Sequence, residues 1–203
     1  MRVLCIGDSL TAGFVDGGAQ FFPYAKTLQK LLDNECGKGK HQVEEASSCG
    51  EDARSMASRN VVGTAMEKRK RLPPKIVVLL AGTNDLRAWP QPTTDDVVDA
   101  LASLAAAAKA SGAKTLILTV PRMPAAEART PSLTARRHDL NARVRAEETF
   151  HCADVAAGFE ECGDDLYDAD GLHLSKAGYR ELAKLVYPAL RGVMKRKKAP
   201  PAD

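Results

Sequence analysis

The sequence is short of several features, and each shortage closes off a class of protein. Its 203 residues contain no apolar run approaching the roughly 20 residues that span a bilayer, so stable membrane insertion is not expected. Cysteines number five (Cys5, Cys36, Cys49, Cys152 and Cys162), an odd count at irregular spacing that fits reduced thiols and not a disulfide framework. His151 and Cys152 form the one close pair of metal-ligating types. Neighbours in sequence seldom serve one zinc ion, so no metal is expected. Neither sign of charge is in large excess: 29 basic against 26 acidic side chains leave a formal +3. Much of that excess lies in EKRKR (67–71) and MKRKK (194–198), neither interleaved with aromatics. These read as solvated helix ends, and a nucleic-acid partner is not expected. Met1 and Arg2 lead straight into an apolar run without the pattern of a secretory leader, which sets the expectation of a cytoplasmic protein.

What is present suffices for one core: 44% of residues are hydrophobic and 27% charged. A single domain over 1–194 is expected, followed by a basic, proline-containing tail over 195–203. Apolar runs and helical patterns alternate along the chain, the signature of an α/β protein with a parallel sheet covered by helices on both faces. Strands are predicted at Val3–Ile6, Gln42–Ala46, Ile76–Leu80, Thr115–Val120 and near Phe150–Val155. Helices are predicted over about 22–35, 51–70, 94–111, 133–148 and from the Ser175 cap to about Met194. Residues 122–134 hold two prolines and no apolar period and read as a long loop.

Polar, glycine-bearing turns follow the first three strands: GDSL at 7–10, SSCGED at 47–52 and GTND at 82–85. In a doubly wound sheet the carboxyl ends of the strands share one edge, so these turns converge although far apart in sequence. A fourth segment, DADGLHLS, carries Asp170 and His173 three residues apart just before the last helix. Acyl transfer needs a nucleophile, a base within hydrogen-bond reach, a group that orients the base, and donors aimed at the developing oxyanion. Ser9 fills the first role, His173 the second and Asp170 the third. The amides of Ser9 and Gly50 and the Asn84 carboxamide supply donors. Asp8, Leu10, Asp85, Arg87 and Trp89 stand where a substrate pocket would be walled, although Asp8 reads first as a brace of its turn and Asp85 as structural, and Arg87 and Trp89 read equally as surface residues.

These blocks, GDSL near the start, an isolated Gly50, GTND and DGLH in that order, resemble the SGNH hydrolases, the GDSL family of esterases and lipases. The resemblance spans nearly the whole chain. It implies a three-layer α/β/α sandwich around a flavodoxin-like five-stranded parallel sheet of order 2-1-3-4-5. It also implies hydrolysis of esters or thioesters of small or medium acyl groups through an acyl-enzyme, with no cofactor. A carbohydrate O-acetyl esterase and a lysophospholipase are alternatives within the family, and the partner expected in each case is a small-molecule ester. A non-catalytic binding module on the same fold would be expected to lose nucleophile or base, and both are retained. GDSLTAG as a phosphate loop lacks a Walker lysine and leaves Asn84 and His173 unexplained. An α/β-hydrolase elbow requires glycine where this chain has Thr11.

Overall fold

Three strands end level with one another, and that alignment brings the turns that follow them to one edge of the sheet. In the computed structural model, which describes residues 1–160 and 162–195, β1 (Arg2–Gly7) lies between β2 (Gln42–Ser47) and β3 (Ile76–Leu80). All pairings are parallel, and Gly7 is registered against both Ser47 and Leu80. β4 (Lys114–Leu118) pairs with β3, and β5 (His151–Ala153) pairs with β4. The order is therefore 2-1-3-4-5, as expected, with the three glycine-bearing turns leaving the same edge.

Alternation along the strands feeds two cores. Val3, Cys5, Val78, Leu80, Leu116 and Leu118 face α2 (Tyr24–Cys36) and α10 (Lys176–Lys195), through Tyr24, Leu28, Leu32, Tyr179, Leu182 and Val186. Leu4, Ile6, Val77, Leu79 and Ile117 face α3 (Ala53–Ser58), α4 (Val61–Glu67), α6 (Thr94–Ala110) and α8 (Ser132–Ala146). All five residues of β3 are buried, as its unbroken IVVLL requires of a strand covered on both sides. β2 forms an edge of the sheet and none of its residues is fully buried. Its polar QVEEAS fits that place, with Glu44 ion-paired to Arg2 and Arg69.

The structure corrects several boundaries. The helix predicted over 51–70 is two helices, interrupted where Asn60 takes a left-handed conformation (φ 49°) and its side-chain oxygen accepts from the Gly63 amide. That is an N-cap, which restarts the helix without changing the apolar period. The loop over 122–134 contains α7 (Pro124–Arg129), with proline at its first helical position, where a missing N–H costs nothing. A short helix α9 (Val155–Glu160) follows β5, and α10 takes in Lys195, assigned above to the tail. The remainder of that tail, and with it the end of the MKRKK run, lies outside the described residues. An unpredicted hairpin pairs Phe14–Val15 with Gln20–Phe21 around Asp16, Gly17 and Gly18. Among the described residues no helix is long and apolar enough to cross a membrane, and no three His, Cys, Asp or Glu residues gather as metal ligands.

Candidate active site

The turn after β1 is built on a close approach. A Cβ on Gly7 would lie 2.2 Å from the Leu80 carbonyl oxygen and 2.3 Å from Thr11 Oγ1, so only glycine lets β1 end here. Asp8 caps α1 (Ser9–Ala12), and its Oδ1 accepts from the Leu10 amide at 2.9 Å. Ser9 is thus the first residue of a helix whose leading amides have no intrahelical acceptor. Its side chain is partly exposed beside the fourth segment.

That segment brings His173 to it. His173 Nε2 stands 2.9 Å from Ser9 Oγ, and Nδ1 stands 2.6 Å from Asp170 Oδ2. Asp170 Oδ1 also accepts from the amides of Leu172 and His173, each at 2.9 Å. Burial opposes charging Asp170, but the His173 side chain and these two amides outweigh it and hold the carboxyl below the usual range. It is therefore ionised at neutral pH.

Neighbouring elements brace the imidazole. The Phe14 ring lies 4.3 Å from it, the Asp16 amide donates to Asp168 Oδ2 at 2.7 Å, and Tyr179 Oη donates to the Phe14 carbonyl at 3.0 Å. On another side the Ala125 amide of α7 donates to the Gly171 carbonyl. α7 is held in turn by Arg137 of α8, 1% exposed, whose Nε donates to Glu127 at 2.7 Å. Phe14 was not among the residues singled out in the sequence. The hairpin that carries it was signalled by Asp16-Gly17-Gly18 between apolar pairs.

Asn84, in α5 (Thr83–Arg87), projects toward the same edge. Its Nδ2 donates to the Glu51 carbonyl at 3.0 Å and to Asp8 Oδ2 at 3.3 Å. Gly50 is exposed, with φ +80°, in the region that favours glycine. Space is not what demands glycine there, since nothing lies within 4 Å of where a Cβ would stand. Ser9, His173, Asp170 and Asn84 are thus linked directly or through Asp8 and Glu51. Gly50 is brought to their side by its neighbour Glu51.

The five residues assigned to a pocket wall separate. Asp8 and Asp85 are fully buried and Leu10 is 3% exposed, so none presents a surface to line a pocket. Asp8 caps α1, Leu10 packs into the α2 and α10 core, and Asp85 accepts from the Ala53 amide at 2.7 Å. Arg87 is exposed and Trp89 is 90% exposed. Two clefts flank the end of β2 and share Ser47. One, of about 780 Å³, includes Ala12, Phe21, Pro23 and Cys49; the other, of about 340 Å³, includes Glu51, Met56 and Arg59.

Burial pushes the Asp8 carboxyl up from 3.8 to about 7, with the Leu10 amide opposing and the charge of Asp85 adding to the rise. The native state then keeps a proton that the unfolded chain releases. The associated stability is complete below pH 4 and is lost as pH rises through 7, to a total on the order of 4 kcal/mol. The melting temperature of Asp8→Asn, measured against that of the unmodified protein, should therefore gain about 10 °C between pH 4.5 and pH 8. A difference that stays constant with pH would refute the assignment.

The sequence matches the GDSL-like lipase/acylhydrolase family over residues 5–181. No curated protein sequence matches it. Among solved structures it is similar to TesA, at 26% identity and a TM-score of 0.75, over 95% of this chain and 99% of that one. A lipase/acylhydrolase from Enterococcus faecalis is 23% identical, with a TM-score of 0.75 over 98% and 100% of the two chains. The acetylxylan esterase Axe2 from Geobacillus stearothermophilus, as a catalytic mutant, is 19% identical, with a TM-score of 0.72 over 93% of each chain. The last two likenesses speak for the fold. With the family match spanning most of the sequence, the chain belongs to the GDSL-like lipase/acylhydrolase family.

Proposed function

We propose that the protein is a serine hydrolase that cleaves carboxylic esters or thioesters of small or medium acyl groups through an acyl-enzyme. The observation that carries this reading is the continuous chain from Ser9 Oγ to His173 Nε2 at 2.9 Å and from Nδ1 to the ionised Asp170 at 2.6 Å. His173 takes the hydroxyl proton as Ser9 Oγ attacks the acyl carbon, and the carbonyl electrons move onto oxygen. Asp170 stabilises the imidazolium that results. Collapse expels the alkoxide or thiolate, which receives the proton from Nε2. A water molecule then repeats the sequence on the acyl-enzyme, with His173 again as base, and frees the carboxylic acid. The amides of Ser9 and Gly50 and the Asn84 carboxamide are the donors for the oxyanion, worth most where they are already oriented before reaction.

Initial rates on p-nitrophenyl esters from acetyl to dodecanoyl test the activity, and a fluorophosphonate probe tests the nucleophile. Turnover should be highest on the shorter acyl groups, and peptide mass spectrometry should find the phosphonyl adduct on Ser9. An adduct elsewhere, or ester turnover that survives complete modification of Ser9, would overturn the mechanism. Asn84→Ala should lower turnover by about 10²-fold to 10³-fold, the scale of losing one oxyanion donor. Unchanged turnover in that variant would remove Asn84 from the role.

A further inference from the structure

Asp8 lies beneath the nucleophile, is fully buried, and forms no ion pair with any described residue. A buried carboxylate without a cationic partner opposes folding, and Asn or Ser would cap α1 without that cost. Its bonds show what the charge does. Oδ1 is occupied by the Leu10 amide, while Oδ2 accepts from Asn84 Nδ2 across 76 residues of sequence. The peptide joining Asp8 to Ser9 also carries the Ser9 N–H. One residue therefore adjoins two of the three oxyanion donors, one through its backbone and one through its carboxylate.

We propose that Asp8 is a positioning residue of the hydrolase: its ionised carboxylate holds the Asn84 carboxamide with the NH2 group turned toward Ser9, and its protonation releases that hold. The inference rests on the reading of Ser9 and Asn84 given above. An amide NH2 has two hydrogens. One is committed to the Glu51 carbonyl at 3.0 Å, and the other makes the longer 3.3 Å contact with Asp8. The longer contact is the one a substrate oxyanion can share or replace, while the shorter one keeps the carboxamide in place. An ionised Oδ2 only accepts, so it admits one orientation of Asn84, with NH2 inward. A protonated Oδ2 is a weaker acceptor, so the 3.3 Å contact loosens and the carboxamide, then held by the Glu51 carbonyl alone, is free to swing its second N–H away from the site.

The titratable groups facing Asp8 come from four elements: Asp85 on α5, Tyr24 on α2, Cys49 after β2 and Tyr179 on α10. Burial holds Tyr24, Cys49 and Tyr179 above their ordinary values, so all three are neutral where esterases are assayed. Burial raises Asp85 as well, and it stays tied to the Ala53 amide. Asp8 is thus the group whose charge changes the hold on Asn84. With its titration lifted to about 7, that change falls within the working range.

Asp8→Asn keeps the cap through its oxygen but points an NH2 at the NH2 of Asn84. Steady-state kinetics on p-nitrophenyl acetate should show kcat lower by about 10-fold to 100-fold, with KM within about 3-fold of the unmodified value. If Asp8 acts through Asn84, Asp8→Asn/Asn84→Ala should fall within about 3-fold of Asn84→Ala alone. Losses that multiply in the double variant, or a fully active Asp8→Asn, would overturn the proposal. Should circular dichroism show Asp8→Asn unfolded, pH profiles decide: the acid limb of kcat/KM should need two protons in the unmodified protein and one in Asn84→Ala. Equal slopes would refute the role. Ser9→Ala, run alongside, separates the two levels. Its activity would sink the serine mechanism, whereas an inactive Ser9→Ala with multiplying losses would sink the role of Asp8 alone.

Discussion

Ser9→Ala and His173→Ala are each expected to lower kcat on p-nitrophenyl esters by about 10⁶-fold, and the double variant by no more than either alone. The magnitude follows from the geometry. Ser9 Oγ and His173 Nε2 are 2.9 Å apart, and under the proposed mechanism neither acts without the other: a serine without a base is a weak nucleophile, and a base without the serine has no hydroxyl to activate for formation of the acyl-enzyme. Non-additivity is the signature of a pair acting as a unit. Activity above the uncatalysed rate should persist in all three variants, since the oxyanion donors proposed at Gly50 and Asn84 remain. Stability should hardly change. Ser9 Oγ is partly exposed and bonded to His173, and the imidazole stands at the surface turn, 13% exposed and against the Phe14 ring, so His173→Ala should cost more of the fold than Ser9→Ala, which removes a single hydroxyl. Melting curves close to that of the unmodified protein, together with the loss of turnover, would mark the effect as chemical. A variant retaining more than about a hundredth of the original kcat would show that another group attacks the ester.

The parts of this arrangement that were legible in the sequence are those whose physics is local. IVVLL, short and β-branched between turn signals, reads as a strand covered on both faces, and Gly112 and Ser175 stand where the helices they flank end and begin. GDSL, GTND and DADGLH announced themselves because a parallel sheet collects its turns at one edge, and the shared level of Gly7, Ser47 and Leu80 is that edge. What was hidden depends on partners distant in the chain or on a backbone angle. Nothing in VVGTAMEKRK shows that Asn60 will turn left-handed and divide a helix. Pro124 reads as a breaker until its place at the start of α7 is known, and α7 matters because it leans on Gly171 of the histidine turn. Phe14 meets His173 from the far end of the chain, and Asp8 against Asn84 bridges 76 positions. Asp8, Leu10 and Asp85 stand beside Ser9 and Asn84 in sequence, which suggests a pocket wall. Burial turned all three inward.

Asp170→Asn tests the orienting group, and the bonds of Asp170 determine why its effect should be large. In many triads an asparagine could rotate to present its oxygen to the histidine. Here the other carboxylate oxygen already accepts from two amides, Leu172 and His173, both at 2.9 Å. A substituted asparagine that keeps those two bonds must point its NH2 at Nδ1; one that turns its oxygen to Nδ1 must break both. The first outcome costs less. An NH2 facing Nδ1 favours the tautomer with its proton on Nε2, which then offers Ser9 a hydrogen where an acceptor is needed. Loss of about 10⁴-fold in kcat is expected, as for a histidine held in the wrong tautomer. Exposure tempers it: the Asp170 side chain is 45% exposed, so solvent can partly replace its charge, and a loss nearer 10³-fold is the floor. Asp170→Ala separates the two causes, because it removes the charge without imposing the wrong tautomer, and it should retain more activity than Asp170→Asn. Measured kcat values in that order would show that Asp170 works first by fixing the imidazole tautomer; equal losses in the two variants, both of which lack the carboxylate, would assign its contribution to charge.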